Sequence, residues 1–476
     1  MNAIDLIIFI IYALIMLFIG FFFYRKNKGV DDYFVGGRQM SSWHVGLSVV
    51  ATDVGGGFSI GLGGLGFTMG ISGSWMLFTG LIGAWVSAVL LIPKVSKLTK
   101  QINLLTFPQI FNHYYGARTA LVAALISFIG YLGFTSSQIL AGAKLASATF
   151  PEIDFTTLLV SMGVFTVVYT AIGGLKAVIF TDTIQWIILM AGLLFIGLPV
   201  AYYAVGGYDA IKASIPPEFL NFNNISWSQV VNWSIIIIPI WFIGMTLYQR
   251  IFACRNEKDA KKAWFIAGLF EWPIMALLGV SLGLIARAAF EQQLLPGLDG
   301  ADPELGLPVL LATVLPVGLL GLLMAAYFSA IMSTADSCLM AASGNFVTDL
   351  LGKFVKLSDD AILKISQWST LVLGFLAVFI AVQMTSVLEL MLLSYSFMVS
   401  GLFIPVLGIL FLKKHYSAAA LSAMLAGGGS TVILHLANVT LPYELDINVI
   451  GLTISLLTYA TIHSIYNKKT NLIASK

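Results

Sequence analysis

The sequence is poor in charged residues, cysteine and histidine. Only 10% of its 476 residues are charged, whereas 58% are hydrophobic, and its mean hydropathy is +0.92. A soluble protein of this composition could not cover its surface with polar groups, which excludes a soluble globular protein. The formal net charge is only +2, without a basic cluster of the kind that binds nucleic acid, so we expect no nucleic-acid partner.

Patterns typical of enzymes are also missing. The two cysteines, Cys254 and Cys338, fall on a predicted cytoplasmic loop and at mid-membrane, so we expect no disulfide. The five histidines do not cluster, and the sequence contains neither a phosphate-binding loop nor a nucleophile motif. We therefore expect neither enzymatic activity nor an organic cofactor.

Long apolar segments take up most of the chain. Each is about 20 residues long, which is the length that crosses the hydrocarbon core of a bilayer as a helix. The thirteen segments cover residues 3–24, 42–68, 75–98, 119–148, 156–172, 178–203, 230–250, 263–290, 317–342, 362–382, 386–412, 418–440 and 447–466. Because an open sheet cannot span lipid, we predict an all-α polytopic membrane protein whose partner is the lipid bilayer.

The loops between these segments differ in positive charge. Lys and Arg concentrate in alternate loops, for example at 25–38 and 250–262, whereas the other loops hold only Lys212 and Arg287. By the positive-inside rule, the N-terminus lies outside and the C-terminus is cytoplasmic, in a multi-pass protein of the plasma (cell inner) membrane. No soluble domain interrupts the segments, so we predict a single transmembrane domain over residues 1–476.

Two predicted external stretches are longer than a connection requires. They cover residues 204–228 and 291–316, and both are rich in proline. Stretches of this kind either cap an external vestibule or are ordinary extracellular loops. The sequence leaves both interpretations open.

The second apolar segment carries a carboxylate just before three glycines. Asp53 is followed by Gly55, Gly56 and Gly57. A charged side chain at membrane depth and a glycine triplet in a helix are both costly, which favours a broken helix that lines a cavity. The free carbonyl groups at such a break suit Na⁺, and the free N–H groups suit a carboxylate. The alternative is a glycine-rich packing face with Asp53 near the interface.

A second polar cluster lies at 329–337 in the ninth segment. Ser333, Asp336 and Ser337 share one helix face by their i, i+3, i+4 spacing, and Thr334 lies beside them. A carboxylate with several hydroxyls, and with no His or Cys, points to an alkali cation. Hydrogen bonding between helices is the alternative role for the hydroxyls, but it explains Asp336 poorly.

Further polar and aromatic residues occur inside apolar segments. Asp182 near the start of the sixth segment either caps its helix, pairs with Lys176 or faces the same cavity as Asp336. We expect Lys144 to extend its ammonium group towards the membrane surface. The other residues of this kind that we single out are Gln138, Trp241, Tyr248 and Tyr395. Aromatic residues in lipid are more often packing residues than ligand-binding ones.

Five motifs in order give the chain a resemblance to the sodium/solute symporter family. They are DDYFVGGR at 31–38, ATDVGGG at 51–57, GGLKAVIFTDTIQ at 173–185, YQRIFACRNEKDAKKA at 248–263 and SAIMSTADS at 329–337. The resemblance implies the leucine-transporter fold, with ten core helices in two inverted five-helix repeats over about 42–412. One extra helix, 3–24, would precede the core, and two helices within 418–466 would follow it.

The resemblance also implies the residues that bind sodium. A first site would use the backbone carbonyls of Ala51, Val54 and Ala330 and the hydroxyls of Ser333 and Thr334. A second site, which some members have, would use Asp182, Ser333, Asp336 and Ser337. The residues that we predict to line the substrate site are Asp53, Gly55, Gly56, Gly57, Phe58, Gln138, Trp241, Tyr248 and Tyr395.

These residues predict sodium-coupled symport of a small organic solute by alternating access. Asp53 either serves as counter-ion for an ammonium group or serves sodium alone, and we favour an amino acid or related amine of the proline or choline type. A monocarboxylate, a sugar or another organic solute is the alternative substrate. A cation channel, a transporter-like sensor and a membrane enzyme are the alternatives from other classes. A channel would be expected to contain a filter loop. A sensor would be expected to carry an added signalling domain, and a membrane enzyme a catalytic constellation.

Overall fold

The computed structural model describes residues 2–26, 30–172, 175–296, 298, 302–355 and 358–474. Gly173 and Gly174 lie outside this description, as do the side chains of Asp53, Val54 and Phe58. The described residues form no β-strand, and their only strand-like pairing is an isolated bridge between Met40 and Cys254. The all-α architecture predicted from the sequence is confirmed.

The helices follow one another through mostly short connections. In the first half of the chain they are α1 (Ala3–Lys26), α2 (Val30–Val35), α3 (Ser42–Met69), α4 (Trp75–Leu90), α5 (Ile92–Gln101), α6 (Pro108–Tyr115), α7 (Ala117–Thr149), α8 (Phe155–Ile172), α9 (Leu175–Gly192), α10 (Leu198–Ala204) and α11 (Gly207–Ser214). In the second half they are α12 (Trp227–Ile243), α13 (Met245–Ala253), α14 (Glu257–Leu269), α15 (Ala276–Glu291), α16 (Gly306–Val314), α17 (Leu319–Gly344), α18 (Asp359–Val382), α19 (Val387–Phe411), α20 (Ser417–Leu436) and α21 (Asn448–Ala474).

Many of these helices are long and apolar enough to cross a membrane. Nine helical spans among the described residues meet this criterion, or ten if the bent pair α12–α13 counts as one span. Shorter apolar helical stretches occur at Ala3–Ile19, Phe155–Val168 and Pro303–Val314. The count of thirteen spans therefore stays a prediction.

Helix α3 is interrupted at the glycine triplet. Gly55 has φ 11° and ψ −155°, so the backbone leaves helical geometry at this residue. A Cβ atom at Gly55 would collide with the Thr334 hydroxyl and the Gln138 amide, so a larger residue would push α17 and α7 away. The break therefore depends on glycine both for its backbone and for the close approach of two neighbouring helices.

A second break separates α12 from α13. Gly244 lies between them with φ −66° and ψ 114°, and the two helices are bent by 42°. Pro239 lies one turn before the break and lacks the N–H that would continue the hydrogen-bond ladder. The apolar segment predicted at 230–250 corresponds to this bent pair, and the sequence prediction did not include its break at Gly244.

Helix α17 lies at the centre of the helices that surround the break in α3. It contacts α3, α7 and α9, and α3 also packs against α14 and α15. The N-terminus of α17 is held by Asp5 of α1. The Asp5 Oδ1 atom accepts hydrogen bonds from the backbone N–H groups of Gly318 at 2.6 Å and Gly321 at 2.9 Å. This buried carboxylate fastens α1 to α17.

Candidate functional site

The break in α3 brings together three of the oxygen atoms predicted for the first sodium site. The Thr334 hydroxyl lies 3.1 Å from the carbonyl oxygen of Ala51 and 3.3 Å from that of Ala330. All three residues are buried. Helix α3 leaves helical geometry at Gly55, and the Ala51 carbonyl that Thr334 contacts lies one turn before this break. These oxygens therefore lie close enough together to surround one small cation.

Ser333 faces the neighbouring helix α9. Its hydroxyl donates a short hydrogen bond to Oδ1 of Asp182. Ser333 and Asp182 are both buried, with 3% and 0% of their surfaces exposed. Since Ser333 precedes Thr334, it links the oxygen set at the helix break to a second polar cluster around Asp182.

The cluster around Asp182 contains a buried arginine that the sequence interpretation missed. The Arg250 Nη2 atom lies 3.2 Å from Oδ2 of Asp182, and both side chains are completely buried. Ser48 donates to the same carboxylate oxygen at 2.5 Å, and Thr52 lies 3.5 Å from it. The hydrogen bonds to Ser333 and Arg250 show that Asp182 faces the interior of the bundle, and whether it shares a cavity with Asp336 stays a prediction. We had assigned Arg250 to a cytoplasmic loop because it lies at the end of an apolar segment.

Asp336 occupies a different side of α17. It is buried, and the Thr170 hydroxyl of α8 donates a short hydrogen bond to its Oδ1 atom. Ser337, the next residue, instead accepts a hydrogen bond from Arg250 at 3.0 Å. Asp336 and Ser337, both predicted for the second site, thus take part in two separate contacts, one with Thr170 and one with Arg250.

Several of the residues predicted to bind substrate meet where α3, α7 and α19 approach one another. Oε1 of Gln138 accepts a 2.6 Å hydrogen bond from the backbone N–H of Gly56. Gly57 packs against Met391 and the Gln138 amide. The ring of Tyr395 meets Phe134 edge-on, with 5.0 Å between the centroids.

The two remaining aromatic candidates lie elsewhere. Trp241 packs against Gly83 and makes an edge contact with Trp264. The Tyr248 hydroxyl donates to the Phe242 carbonyl at 2.7 Å, and its ring packs on Phe107. In this conformation both aromatic residues pack within the helix bundle, away from Gln138 and Gly56.

An open cavity of about 1160 Å³ lies beyond the break, along the second half of α3. Gly61 and Gly64 of α3 and Leu388 and Leu392 of α19 form part of its wall. Its acidic lining residues are Asp302, Glu304, Glu389, Glu444 and Asp446. Clefts lined by one sign of charge raise the local concentration of counter-ions, so Glu389, Glu444 and Asp446, which do not share the Lys144 ammonium group, favour the entry of cations.

One wall of this cavity is fixed by a buried ion cluster. Nζ of Lys144 lies 2.5 Å from Asp302 and 2.7 Å from Glu304. Glu304 also accepts hydrogen bonds from the backbone N–H groups of Val387 at 2.9 Å and Leu388 at 3.0 Å, at the start of α19. Our expectation that Lys144 reaches the membrane surface was wrong, because the two carboxylates hold its ammonium group inside the protein.

The model of the sodium:solute symporter family matches residues 33–427, which is most of the sequence. The chain belongs to the sodium:solute symporter family. It is therefore a multi-pass membrane transporter rather than an enzyme, and it couples the movement of a small solute to that of Na⁺. The family resemblance and the function predicted from the sequence are confirmed.

Relatives of this symporter carry different solutes. It is 28% identical over 435 residues to the high-affinity proline transporter PutP of Bacillus subtilis, covering 88% of this chain and 89% of the relative. It is 26% identical over 409 residues to sodium/glucose cotransporter 1 of Oryctolagus cuniculus, covering 77% of this chain and 61% of the relative.

Two solved structures resemble the symporter in fold. A Na⁺-coupled sialic acid symporter in a substrate-bound outward-open state superposes with a TM-score of 0.80 at 21% identity, over 98% of both chains. A nucleobase-cation-symport-1 family transporter superposes with a TM-score of 0.58 at 13% identity, over 91% of this chain and 94% of the other. The predicted leucine-transporter fold is confirmed.

Proposed function

We propose that this symporter imports an amino acid or a related amine together with Na⁺ bound at the break in α3. The observation that carries the proposal is the convergence of the Ala51 carbonyl, the Ala330 carbonyl and the Thr334 hydroxyl within hydrogen-bond distance. Carbonyl and hydroxyl oxygens at an interrupted transmembrane helix are the ligands that Na⁺ uses in this kind of transporter. Ser333 and the carbonyl of Val54 complete the proposed first site.

The substrate class rests on charge and on the curated relatives. The acidic residues of the external cavity favour the approach of Na⁺ and of an ammonium group over that of an anion. Asp53 precedes the break and is the proposed counter-ion for that ammonium group. The proline transporter of Bacillus subtilis matches almost the whole chain, which supports an amino acid over a sugar.

The proposed substrate site lies around the N–H groups of the interrupted helix. Gly55, Gly56, Gly57 and the Gln138 amide form its described part, and Phe58 and Tyr395 complete the proposal. Free N–H groups at the start of a half-helix attract a carboxylate. Trp241 and Tyr248 pack elsewhere in this conformation. We therefore propose that they contact the solute only in another conformational state of the cycle.

The proposed mechanism is alternating access driven by the sodium gradient. Na⁺ bound between Ala51 and Thr334 ties α3 to α17 and stabilises the state that binds solute. This coupling is reciprocal, so the solute must raise the affinity for Na⁺ by the same factor. The membrane potential adds about 2.3 kcal/mol per elementary charge for every 100 mV.

The loop charges support the proposed orientation in the cell inner membrane. Lysine and arginine residues lie in alternate loops, which supports an N-terminus outside and a C-terminus in the cytoplasm. We propose that residues 1–476 act as one transport domain. The extra helix α1 and the last two helices, α20 and α21, flank the ten-helix core in this proposal.

A binding titration of purified protein tests the proposed function. Thermal stability or intrinsic fluorescence is measured with Na⁺, K⁺ and choline chloride, each with a panel of amino acids, amines, monocarboxylates and sugars. The expected result is stabilisation by Na⁺ but not K⁺, and tighter binding of one amino acid or amine in the presence of Na⁺. Equal effects of Na⁺ and K⁺ would contradict the proposed sodium site. Tighter binding of a sugar or a monocarboxylate would contradict the proposed substrate class.

A further inference from the structure

A small cavity lies between α1, α9 and α17, away from the break in α3. Its volume is about 30 Å³, which is room for roughly one or two groups of the size of a water molecule. Tyr12 of α1, Gln185 of α9 and Ser329 of α17 bring polar side chains to its lining, and the other lining residues are apolar. We call this space the inner cavity.

Two polar groups of the inner cavity are buried without a hydrogen bond. Gln185 and Tyr12 have only 3% and 7% of their surfaces exposed. Neither Oε1 of Gln185 nor the hydroxyl of Tyr12 makes a hydrogen bond of normal geometry within the described part of the chain. An unpaired polar group is unfavourable inside a membrane protein, because the surrounding lipid offers it no partner. The inner cavity therefore suits a group that donates to Gln185 and also pairs with Tyr12.

A larger cavity adjoins the inner one, and we call it the outer cavity. Its volume is about 430 Å³, which is within the range of small-molecule sites. Ile10 and Leu14 of α1 line only the outer cavity and are 47% and 58% exposed, so it opens on the apolar surface of the protein. The residues that line both cavities are Phe9, Ala13, Leu17, Phe165 and Phe328.

The two cavities together fit a particular kind of ligand. Apart from Ser161, the outer cavity is lined by aliphatic and aromatic side chains and by Met162, which suits a hydrocarbon chain. No charged side chain is present among the described lining residues of either cavity, so a charged group would lose its hydration without gaining a counter-ion. The acyl chain of a phospholipid has no O–H or N–H group and would leave Gln185 unpaired.

We propose that the two cavities bind a neutral single-chain amphiphile of the long-chain alcohol type, which enters from the membrane. Its hydroxyl occupies the inner cavity, donates to Oε1 of Gln185 and accepts from Tyr12, since a hydroxyl can do both. Its chain lies in the outer cavity, beside the rings of Phe9 and Phe165. This site is separate from the proposed sodium and solute sites and does not depend on them.

Photolabelling in lipid nanodiscs tests the proposal. Purified full-length protein is placed in phosphatidylcholine nanodiscs free of detergent, because detergents are themselves single-chain amphiphiles. The probe is dodecanol with a diazirine at the far end of its chain, and labelled residues are identified by mass spectrometry. The expected result is saturable labelling of α1 and α8 at the outer cavity. Dodecanol should compete with this labelling, whereas dodecane, which lacks the hydroxyl, should not.

Substitutions in the two cavities make the test specific. Gln185→Leu removes the acceptor and is expected to weaken competition by dodecanol roughly tenfold, and Tyr12→Phe is expected to weaken it less. Ala13→Leu places a larger side chain between the cavities and is expected to abolish labelling. Thr183→Val on the same helix as Gln185, where the hydroxyl donates to the Ile179 carbonyl at 2.9 Å, is the matched control and should change nothing.

The thermal midpoint shows whether each variant is folded. Gln185→Leu removes an unpaired buried group, so its midpoint without alcohol should not fall below that of the parent. Unchanged competition by dodecanol in this folded variant would overturn the proposal. Equal competition by dodecane would also overturn it, because the outer cavity would then bind any hydrocarbon chain. Absence of saturable labelling of the parent would overturn it as well and leave water as the occupant of the inner cavity.

Discussion

The Thr334 hydroxyl donates a hydrogen bond of 3.1 Å to the Ala51 carbonyl oxygen, across the contact between α17 and the broken helix α3. The two residues are 283 positions apart in the chain. A cation that replaced this hydrogen bond would be held by both helices at once. Ion binding at this contact would therefore change how α3 packs against α17.

Removal of the Thr334 hydroxyl is expected to weaken sodium binding. In Thr334→Val the shape of the side chain is kept but one oxygen ligand is lost. We expect the sodium concentration for half-saturation to rise about tenfold or more, since tenfold corresponds to ~1.4 kcal/mol. Sodium titration of thermal stability measures this value. Ser343→Ala on the same helix, whose hydroxyl donates to the Ser366 carbonyl, is the matched control and should leave it unchanged.

Replacement of Asp336 distinguishes a second sodium site from a contact between helices. Asp336 accepts from Thr170 of α8, so Asp336→Asn is expected to keep one bound Na⁺ per chain and a Hill coefficient of one. The amide oxygen can still accept the Thr170 hydrogen bond. The count of bound ²²Na⁺ checks this. A fall from two ions to one on this substitution would return Asp336 to the ligands of a second site.

The Gln138 amide is expected to affect solute binding more than sodium binding. Gln138→Leu removes the side-chain amide that forms part of the proposed substrate site beside Gly56. We expect a roughly tenfold loss of affinity for the solute, while the sodium half-saturation without solute changes less than threefold. Ser136→Ala in the same helix, whose hydroxyl donates to the Leu132 carbonyl, serves as control. Equal losses in both affinities would argue against a specific role in solute binding.

The ion cluster at the wall of the open cavity is expected to stabilise the protein. Lys144 is buried, and Lys144→Met leaves Glu304 and Asp302 without their shared cation. Loss of one partner of a buried ion pair typically costs about 3–5 kcal/mol, so a clear fall in the thermal midpoint is expected. Lys212→Met, on exposed α11, should not change the midpoint. An unchanged midpoint in Lys144→Met would show that Glu304 is held by the N-terminus of α19 alone.

The stability of the protein is expected to fall in mild acid because of His415, in the loop before α20. Burial, together with Lys94, His463 and His113, lowers the pKa of His415 below its ordinary value of 6.5. The aromatic rings of Tyr114 and Tyr115 also face it. The folded state disfavours its protonation, so stability is full above pH 6.5 and is lost as the pH falls towards the folded pKa. The fall in thermal midpoint from pH 7.5 to 5.5 should be smaller in His415→Asn than in the parent.

The features that could be predicted from the sequence are those that depend on residues close together in the chain. Gly55, Gly56 and Gly57 follow a carboxylate in an apolar segment, so a helix break could be recognised from local composition alone. The run of hydroxyl residues that contains Ser333 and Thr334 could be recognised in the same way, although it was the family resemblance that assigned these two residues to the first sodium site. In both cases the physical cause lies within one or two helical turns.

The features that the sequence did not predict depend on residues far apart in the chain. Arg250 was predicted to be one of several cytoplasmic charges, because the residues next to it in the chain do not indicate that it pairs with Asp182, which lies 68 residues earlier. Lys144 is separated from Glu304 by 160 residues. The break at Gly244 had a local signal in Pro239, but a proline in a transmembrane segment also occurs in helices that continue.

The two hydrogen bonds from the start of α17 to Asp5 make α1 move together with that helix. Whatever rotation α17 undergoes between outward and inward states, the beginning of the chain must follow it, whereas α14 packs against α3 and α4. A fluorophore near Asp5 and a second one in the loop before α14 would therefore report changes in the distance between α1 and α14 during turnover. Such a distance signal needs no label inside the transport pathway.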